Sequence, residues 1–186
     1  MIQDLDYRIL DFIQETFRSN VMDKIMKFFT FLGDNGLVWI IICIILLIFR
    51  KTRKVGFIGL LSLLFSLLIN DQILKNLVAR DRPFVSRPEI ILLIEAPSGY
   101  SFPSGHTSSS FGVAFVFSRF FKKRITIPTF ILASLIAFSR LYLFVHFPTD
   151  VLAGLLVGFI DAFLAVLVFN QGKKLYYRIK NKESIN

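Results

Sequence analysis

A single cysteine, a single tryptophan and two histidines are all that 186 residues contain of those types. Cys43 stands alone inside an apolar run, which excludes an intramolecular disulfide and leaves no thiolate set for a metal. Charged residues make up only 19% of the chain, fewer than an ordinary soluble domain carries. The N-terminus, MIQDLDYRILDFIQETF, has neither the positive n-region nor the apolar h-region of a cleaved signal peptide. Insertion is therefore expected to use the chain's own spans. No repeat of solenoid period and no low-complexity linker occurs, so everything after residue 33 is expected to be one helical bundle.

What is present is apolar. Hydrophobic residues reach 54%, phenylalanine occurs 22 times, and mean hydropathy is +0.63. The apolar residues run together, which predicts an all-α integral-membrane bundle. Five spans are expected, over about 36–49, 55–74, 106–121, 125–143 and 149–170. Several are shorter than the roughly 20 residues that cross a bilayer, so the first is expected to borrow from FFTFLGDNG. The domain reading is an amphipathic N-terminal helical segment over 1–33, a transmembrane domain over 34–172 and a basic cytoplasmic tail over 173–186. In the first segment Leu5, Ile9, Phe12 and Ile13 recur at helical spacing, with Asp4, Asp11 and Glu15 opposite. Such a helix suits either the membrane surface or the end of the bundle.

The formal net charge of +9 would suit nucleic acid, but its distribution argues for a membrane. Thirteen of 22 basic residues fall in three clusters at the ends of apolar runs: 50–54, 119–124 and 173–182. Five spans place all three on one side, the cytoplasm by the positive-inside rule. Outside the clusters, through Asp150, nine basic residues face eleven acidic ones. The expected topology is multi-pass, with a cytoplasmic C-terminus and no nucleic-acid partner.

On that topology the awkward polar residues share the outer face: Asn70, Asp71, Lys75, Arg80 and Arg82; Pro103-Ser104-Gly105-His106; Ser139-Arg140; and His146, Pro148, Thr149 and Asp150. Cations around two histidines suit an anion better than a second positive centre such as zinc. Arginine grips phosphate oxygens as a fork and lysine as a point charge. A glycine turn opening a helix adds free N–H groups and a positive dipole end. Phosphoryl transfer requires mostly such positioning and charge. His146 and Asp150, spaced i, i+4, suit a nucleophilic imidazole oriented by a carboxylate. His106 suits an acid for the leaving oxygen.

Lys75, six residues, Arg82-Pro83; then Pro103-Ser104-Gly105-His106; then Ser139-Arg140, five residues, His146, three residues, Asp150: this series resembles the three-part signature of the type 2 phosphatidic acid phosphatase superfamily. That family includes membrane lipid phosphatases and shares its site with vanadium haloperoxidases. The resemblance implies a phosphohistidine on His146, Asp150 as its orienter and His106 as general acid. It implies phosphate binding by Lys75, Arg82, Ser104, Gly105 and Arg140, with no metal and no cofactor. The implied substrate is a lipid-linked phosphate arriving from the bilayer, undecaprenyl diphosphate first, then phosphatidylglycerophosphate, then phosphatidic acid or a lipid A phosphate. The implied location is the plasma membrane, with the site on the outer face.

The remaining polar residues receive plainer readings. Arg80 and Arg87 are expected to lie outside the site as interfacial cations. Asp81 could pair with Arg80 or help admit substrate. Ser108, Ser109 and Ser110 are expected to pack helices. Asp161 lies on the side of Gly154, Gly158 and Ala162 and is expected to be structural. A transporter would spread its polar residues through the bilayer, whereas here they gather at one end. An inactive scaffold member would not need the complete His-His-Asp set, and the spans exclude a soluble haloperoxidase.

Overall fold

The structure, a computed structural model, describes residues 2–183, so the final residues of the basic tail lie outside it. The described residues form helices and connecting turns, with no strand. In chain order these are α1 (Ile2–Phe17), α2 (Asn20–Gly33), α3 (Leu37–Ile48), α4 (Arg53–Phe65), α5 (Lys75–Val78), α6 (Gly105–Phe120), α7 (Lys123–Tyr142) and α8 (Pro148–Glu183). A π-helical stretch, Ser66–Leu74, joins α4 to α5.

The N-terminal segment divides at Ser19, whose hydroxyl accepts from the Met22 N–H and caps α2. Helix α2 then leads into the first span. Between α2 and α3, Asn35 and Gly36 take φ of 52° and 68°, the left-handed region that these two residue types enter at least cost. Four stretches are long and apolar enough to cross a membrane: Asn20–Ile48, Arg53–Val85, Lys123–Tyr142 and Pro148–Asn181. The expected third span, α6, has 16 residues, about 24 Å of helix against a hydrocarbon core of about 30 Å. It lies at the centre of the bundle, packed on α4, α7 and α8. From residue 173 the basic stretch continues α8 as an exposed helix.

Helix α6 meets α8 along a seam of small residues. A Cβ on Gly154 would come within 2.7 Å of the Ser104 carbonyl oxygen, and one on Gly158 within 2.6 Å of that of Ser108. Lipid tails are as apolar as leucine, so close backbone packing, rather than exclusion of water, drives such contacts. Ser108 and Ser110 take part as packing residues: Ser108 shares a 2.6 Å hydrogen bond with Ser66, and Trp39 Nε1 donates to Ser110 Oγ at 2.8 Å. Around them Trp39, Cys43, Ile58, Val113, Phe117 and Ile136 form the main core. Ile41, Ile44 and Ile45 on α3, and Leu152, Leu156 and Phe159 on α8, are exposed. In water such faces would be a liability; in a bilayer they meet lipid.

Helix α1 caps the end of the bundle. It buries Asp6, Leu10 and Ile13 while leaving Leu5, Ile9 and Phe12 exposed. Leu10 packs with Phe144 and Phe147, and Ile13 with Tyr142, Leu143 and Val145. Helix α1 thus packs on the bundle's end, and of the apolar face predicted from the sequence Ile13 is buried while Leu5, Ile9 and Phe12 point outward. Asp161 is fully buried on α8, with neither carboxylate oxygen hydrogen-bonded.

Candidate active site

The site begins where the π-helical stretch ends. Asn70, fully buried, donates to the Pro103 carbonyl at 3.3 Å and to Asp71 at 3.1 Å, tying this segment to the turn before α6. Lys75 pairs with Asp71 at 2.6 Å. Ala79, at φ 49°, ends α5 and turns the chain into Arg80-Asp81-Arg82. Ser101 secures this return: its N–H donates to the Arg80 carbonyl at 2.8 Å and its hydroxyl to that of Asp81 at 3.0 Å.

Helix α6 opens at Ser104-Gly105. The Ser104 N–H donates to the Asp150 carbonyl at 3.0 Å, so it is already occupied. The N–H groups of Gly105, His106 and Thr107, in the first helical turn, lack intrahelical acceptors by geometry. Gly105 lies close against Asp71, since a Cβ there would come 3.0 Å from Asp71 Oδ1. Lys75, Asp71, Gly105, Ser104 and Asp150 therefore form one continuous line.

His146 sits in the short turn between α7 and α8 and is 2% exposed. Arg82 Nη1 approaches His146 Nε2 at 3.3 Å and donates to the Val145 carbonyl at 3.0 Å. A guanidinium can only donate, so Nε2 carries the lone pair and Nδ1 the proton. Nδ1 faces Asp150 Oδ2 at 3.5 Å, longer than a hydrogen bond. The Phe147 N–H donates to the same oxygen at 2.8 Å. Burial first, and then the charges of Arg140, Arg82, His106 and Lys75, hold the His146 imidazole well below the usual histidine range. It is neutral at pH 7, as a nitrogen nucleophile must be.

Arg82 and Arg140 are 5% and 3% exposed. The remaining donors of Arg82 go to the carbonyls of Gly99 at 3.0 Å and Ser98 at 3.2 Å. Arg140 donates to the Thr30 hydroxyl, and its Nε has no acceptor among the described residues. Neither arginine forms an ion pair within the described residues. Two buried guanidinium groups without a paired anion carry a desolvation cost that a bound anion would offset.

All eight residues singled out from the sequence (Lys75, Arg82, Ser104, Gly105, His106, Arg140, His146 and Asp150) lie at the same end of the bundle. Others came to the site unannounced. Asp34, in the turn after α2, accepts from His106 Nε2 at 2.9 Å. Gly33 permits this approach, since a Cβ there would lie 2.7 Å from the His106 ring. Arg80, expected outside the site, is inside it: Nη1 donates to Asp150 Oδ1 and to Thr149 Oγ1, both at 2.7 Å. The expectation failed because an arginine at a span's end looks the same whether it snorkels or meets a distant carboxylate. The GDNG stretch was grouped with the residues lent to the first span, and nothing local tied Asp34 to His106. Arg87 does lie outside, paired with Asp11 and stacked over Tyr7. Among the described residues no group of three or more His, Cys, Asp and Glu side chains is placed to hold a metal ion. A groove of about 540 Å³, lined by Phe115, Arg119, Phe159 and Asn170, lies towards the other end of α6 and α8 and contains none of the site.

Membrane-crossing helices that gather histidines and cations at one end define an integral-membrane enzyme. Residues 56–174 match the PAP2 superfamily, and the chain belongs to that family of membrane phosphatases, hydrolases of phosphate esters. It is 35% identical over 145 residues to an undecaprenyl-diphosphatase of Sulfolobus acidocaldarius, covering 77% of this chain and 70% of that one. It is 33% identical to phosphatidylglycerophosphatase B of Bacillus subtilis, covering 79% and 75%. Some relatives are longer; the chain spans 65% of a lipid A 4'-phosphatase of Porphyromonas gingivalis. The crystal structure of Aquifex aeolicus LpxE superposes with a TM-score of 0.71 at 31% identity, covering 87% of this chain and 94% of that one. The PAP2-type phosphatidylglycerolphosphate phosphatase of Bacillus subtilis gives 0.73 at 28% identity, covering 91% and 87%.

Proposed function

We propose that this phosphatase hydrolyses a lipid-linked phosphate or diphosphate through a phosphohistidine on His146. The observation that carries the reading is the pair of buried, anion-less arginines beside the unprotonated Nε2 of His146. A phosphate there would take the Arg140 Nε donor and the open N–H groups at the start of α6, with Lys75 turning to it from Asp71 and Arg82 supplying positive charge beside it. Nε2 attacks phosphorus, the bond from phosphorus to the leaving oxygen (the lipid oxygen of a monoester or the bridging oxygen of a diphosphate) breaks, and His106 protonates that oxygen. Asp34 holds the His106 ring by its Nε2–H, and Asp150 faces the Nδ1–H of His146 as positive charge develops on the ring. Water then attacks the phosphohistidine with His106 as base, releasing inorganic phosphate and restoring both histidines.

Undecaprenyl diphosphate is the first-choice substrate, supported by the relative named for that activity. The bond broken would be the one between its two phosphates, leaving undecaprenyl phosphate. Phosphatidylglycerophosphate is the second reading, favoured by the likeness in fold and sequence to two proteins named for it. The three basic clusters support a cytoplasmic C-terminus and a site at the outer face of a plasma membrane. The test is phosphate release by purified protein in one detergent, with excess chelator, on undecaprenyl diphosphate, phosphatidylglycerophosphate and phosphatidic acid. His146→Ala is expected to abolish release and the labelling of the protein by ³²P-substrate seen after an alkaline SDS quench, in which a phosphohistidine survives. Full turnover by that variant would overturn the mechanism, and the order of kcat/KM decides the substrate.

A further inference from the structure

Helix α1 lies outside the residues matched to the family, 56–174, yet it sends a buried carboxylate into the site. Asp6 is 1% exposed. Its Oδ1 accepts from the Thr149 N–H at 3.0 Å, and its Oδ2 accepts from the Thr149 hydroxyl at 2.6 Å and from Arg80 Nη2 at 2.7 Å. The other arm of Arg80 holds Asp150 Oδ1. One guanidinium thus joins the carboxylate of α1 to the carboxylate that faces His146.

We propose that Asp6 is a positioning residue for the reaction, acting through Arg80 and Thr149 on Asp150 and thereby on His146. Burying a carboxylate is costly, and α1 already has Leu10 and Ile13 with which to dock. The return on Asp6 is the orientation of Arg80. The guanidinium carbon lies 3.8 Å from the centroid of the Phe147 ring, and Tyr7 of α1 meets the same ring edge-on at 5.2 Å. The turn that carries His146 also needs support. Phe144 within it has φ 59°, a left-handed conformation that strains a non-glycine residue. It is 1% exposed and packs against Leu10. Helix α1 therefore braces the nucleophile's turn on an apolar contact and aims its carboxylate through a polar one.

The proposal rests on the phosphohistidine reading, and Asp6→Asn tests it. The amide keeps the size of the side chain, but its NH₂ must face either the Thr149 N–H or the Arg80 and Thr149 donors, so one side of the clamp is lost in either orientation. The expected result is a kcat lowered at least tenfold, KM within about twofold and a thermal melt like that of the parent. In an Arg80→Lys background, Asp6→Asn is expected to add little, because the link is already broken. Thr149→Val, which removes only the bridging hydroxyl, carries the test if Asp6→Asn does not fold; a severalfold loss of kcat is expected. A kcat within twofold of the parent in the folded variant, or losses that multiply fully in the double variant, would overturn the proposal. His146→Ala, run in parallel, separates the readings: if it is inactive while Asp6→Asn is unimpaired, only the role of Asp6 fails.

Discussion

Replacing Gly33 by alanine adds one methyl group and should disable the enzyme without touching any reacting atom. Gly33 has φ −85° and ψ −13°, an ordinary helical conformation, so alanine adds no backbone strain. The methyl would instead lie 2.7 Å from His106 Cδ2 and 2.6 Å from Ile136 Cγ2. Carbon atoms pack at about 3.5–4.0 Å, so the ring or the helix must move by roughly 0.8–1.3 Å. Ile136 is fully buried and cannot swing aside, which leaves the His106 ring to shift. Its 2.9 Å hydrogen bond to Asp34 would then be lost. A displacement of about 1 Å at a reacting group can cost on the order of 100-fold, or about 2.7 kcal/mol of barrier. Overpacking of this kind also destabilises by about 1–3 kcal/mol. Gly33→Ala is thus expected to lower kcat roughly 10- to 100-fold, with KM little changed and a thermal midpoint a few degrees lower. Gly172→Ala, at a glycine with nothing within 4 Å, is the matched control and should behave as the parent. The measurement is phosphate release under saturating substrate, with protein quantified after gel filtration. A Gly33→Ala enzyme with the parent's kcat would refute the placement of His106 against α2.

Two further outcomes follow from the site's electrostatics and from the bundle core. Because burial and the Arg140 and Arg82 cations keep His146 below its ordinary pKa of about 6.5, protonation of this imidazole should not limit kcat/KM above pH 6.5, and its acid limb should lie at lower pH. Arg140→Met removes a cation that opposes the imidazolium, so its acid limb should move upward in the pH profile. A limb that moved downward would contradict the assigned cause. Asp161→Asn changes a buried group whose carboxylate oxygens have no hydrogen-bond partner among the described residues, so turnover should stay within about twofold when assayed beside the parent; a large loss in folded protein would make Asp161 part of the chemistry.

Local pattern carried much of this protein. Apolar runs punctuated by basic clusters determined an all-α membrane bundle, since the bilayer admits few other solutions for backbone hydrogen bonds. The i, i+4 spacing kept His146, in the turn just before α8, close to Asp150 in the first turn of that helix, and Pro103-Ser104-Gly105 marked a helix start, because both are properties of a few neighbouring residues. The small residues Gly154 and Gly158 likewise announced a close helix contact. Span lengths were less legible. The central helix α6, shielded by α4, α7 and α8, need not be long enough to cross the lipid alone. The first span draws on α2, which the sequence grouped with the N-terminal segment.

Tertiary structure alone decided which carboxylates enter the site. Asp34 reaches His106 across 72 positions of chain and Asp6 reaches Arg80 across 74. Thr30 meets Arg140 across 110. A helical period reports only which face a residue occupies, and a single aspartate on a polar face has the same signature whether water or an arginine awaits it. The partner is chosen by how α1 and α2 close over the bundle's end. That closure depends on Leu10 beneath Phe144 and on Gly33 against His106, packing events that no local stretch encodes. The proposed reacting groups could therefore be named from spacing, whereas the residues that contact them from α1 and α2 belong to the fold.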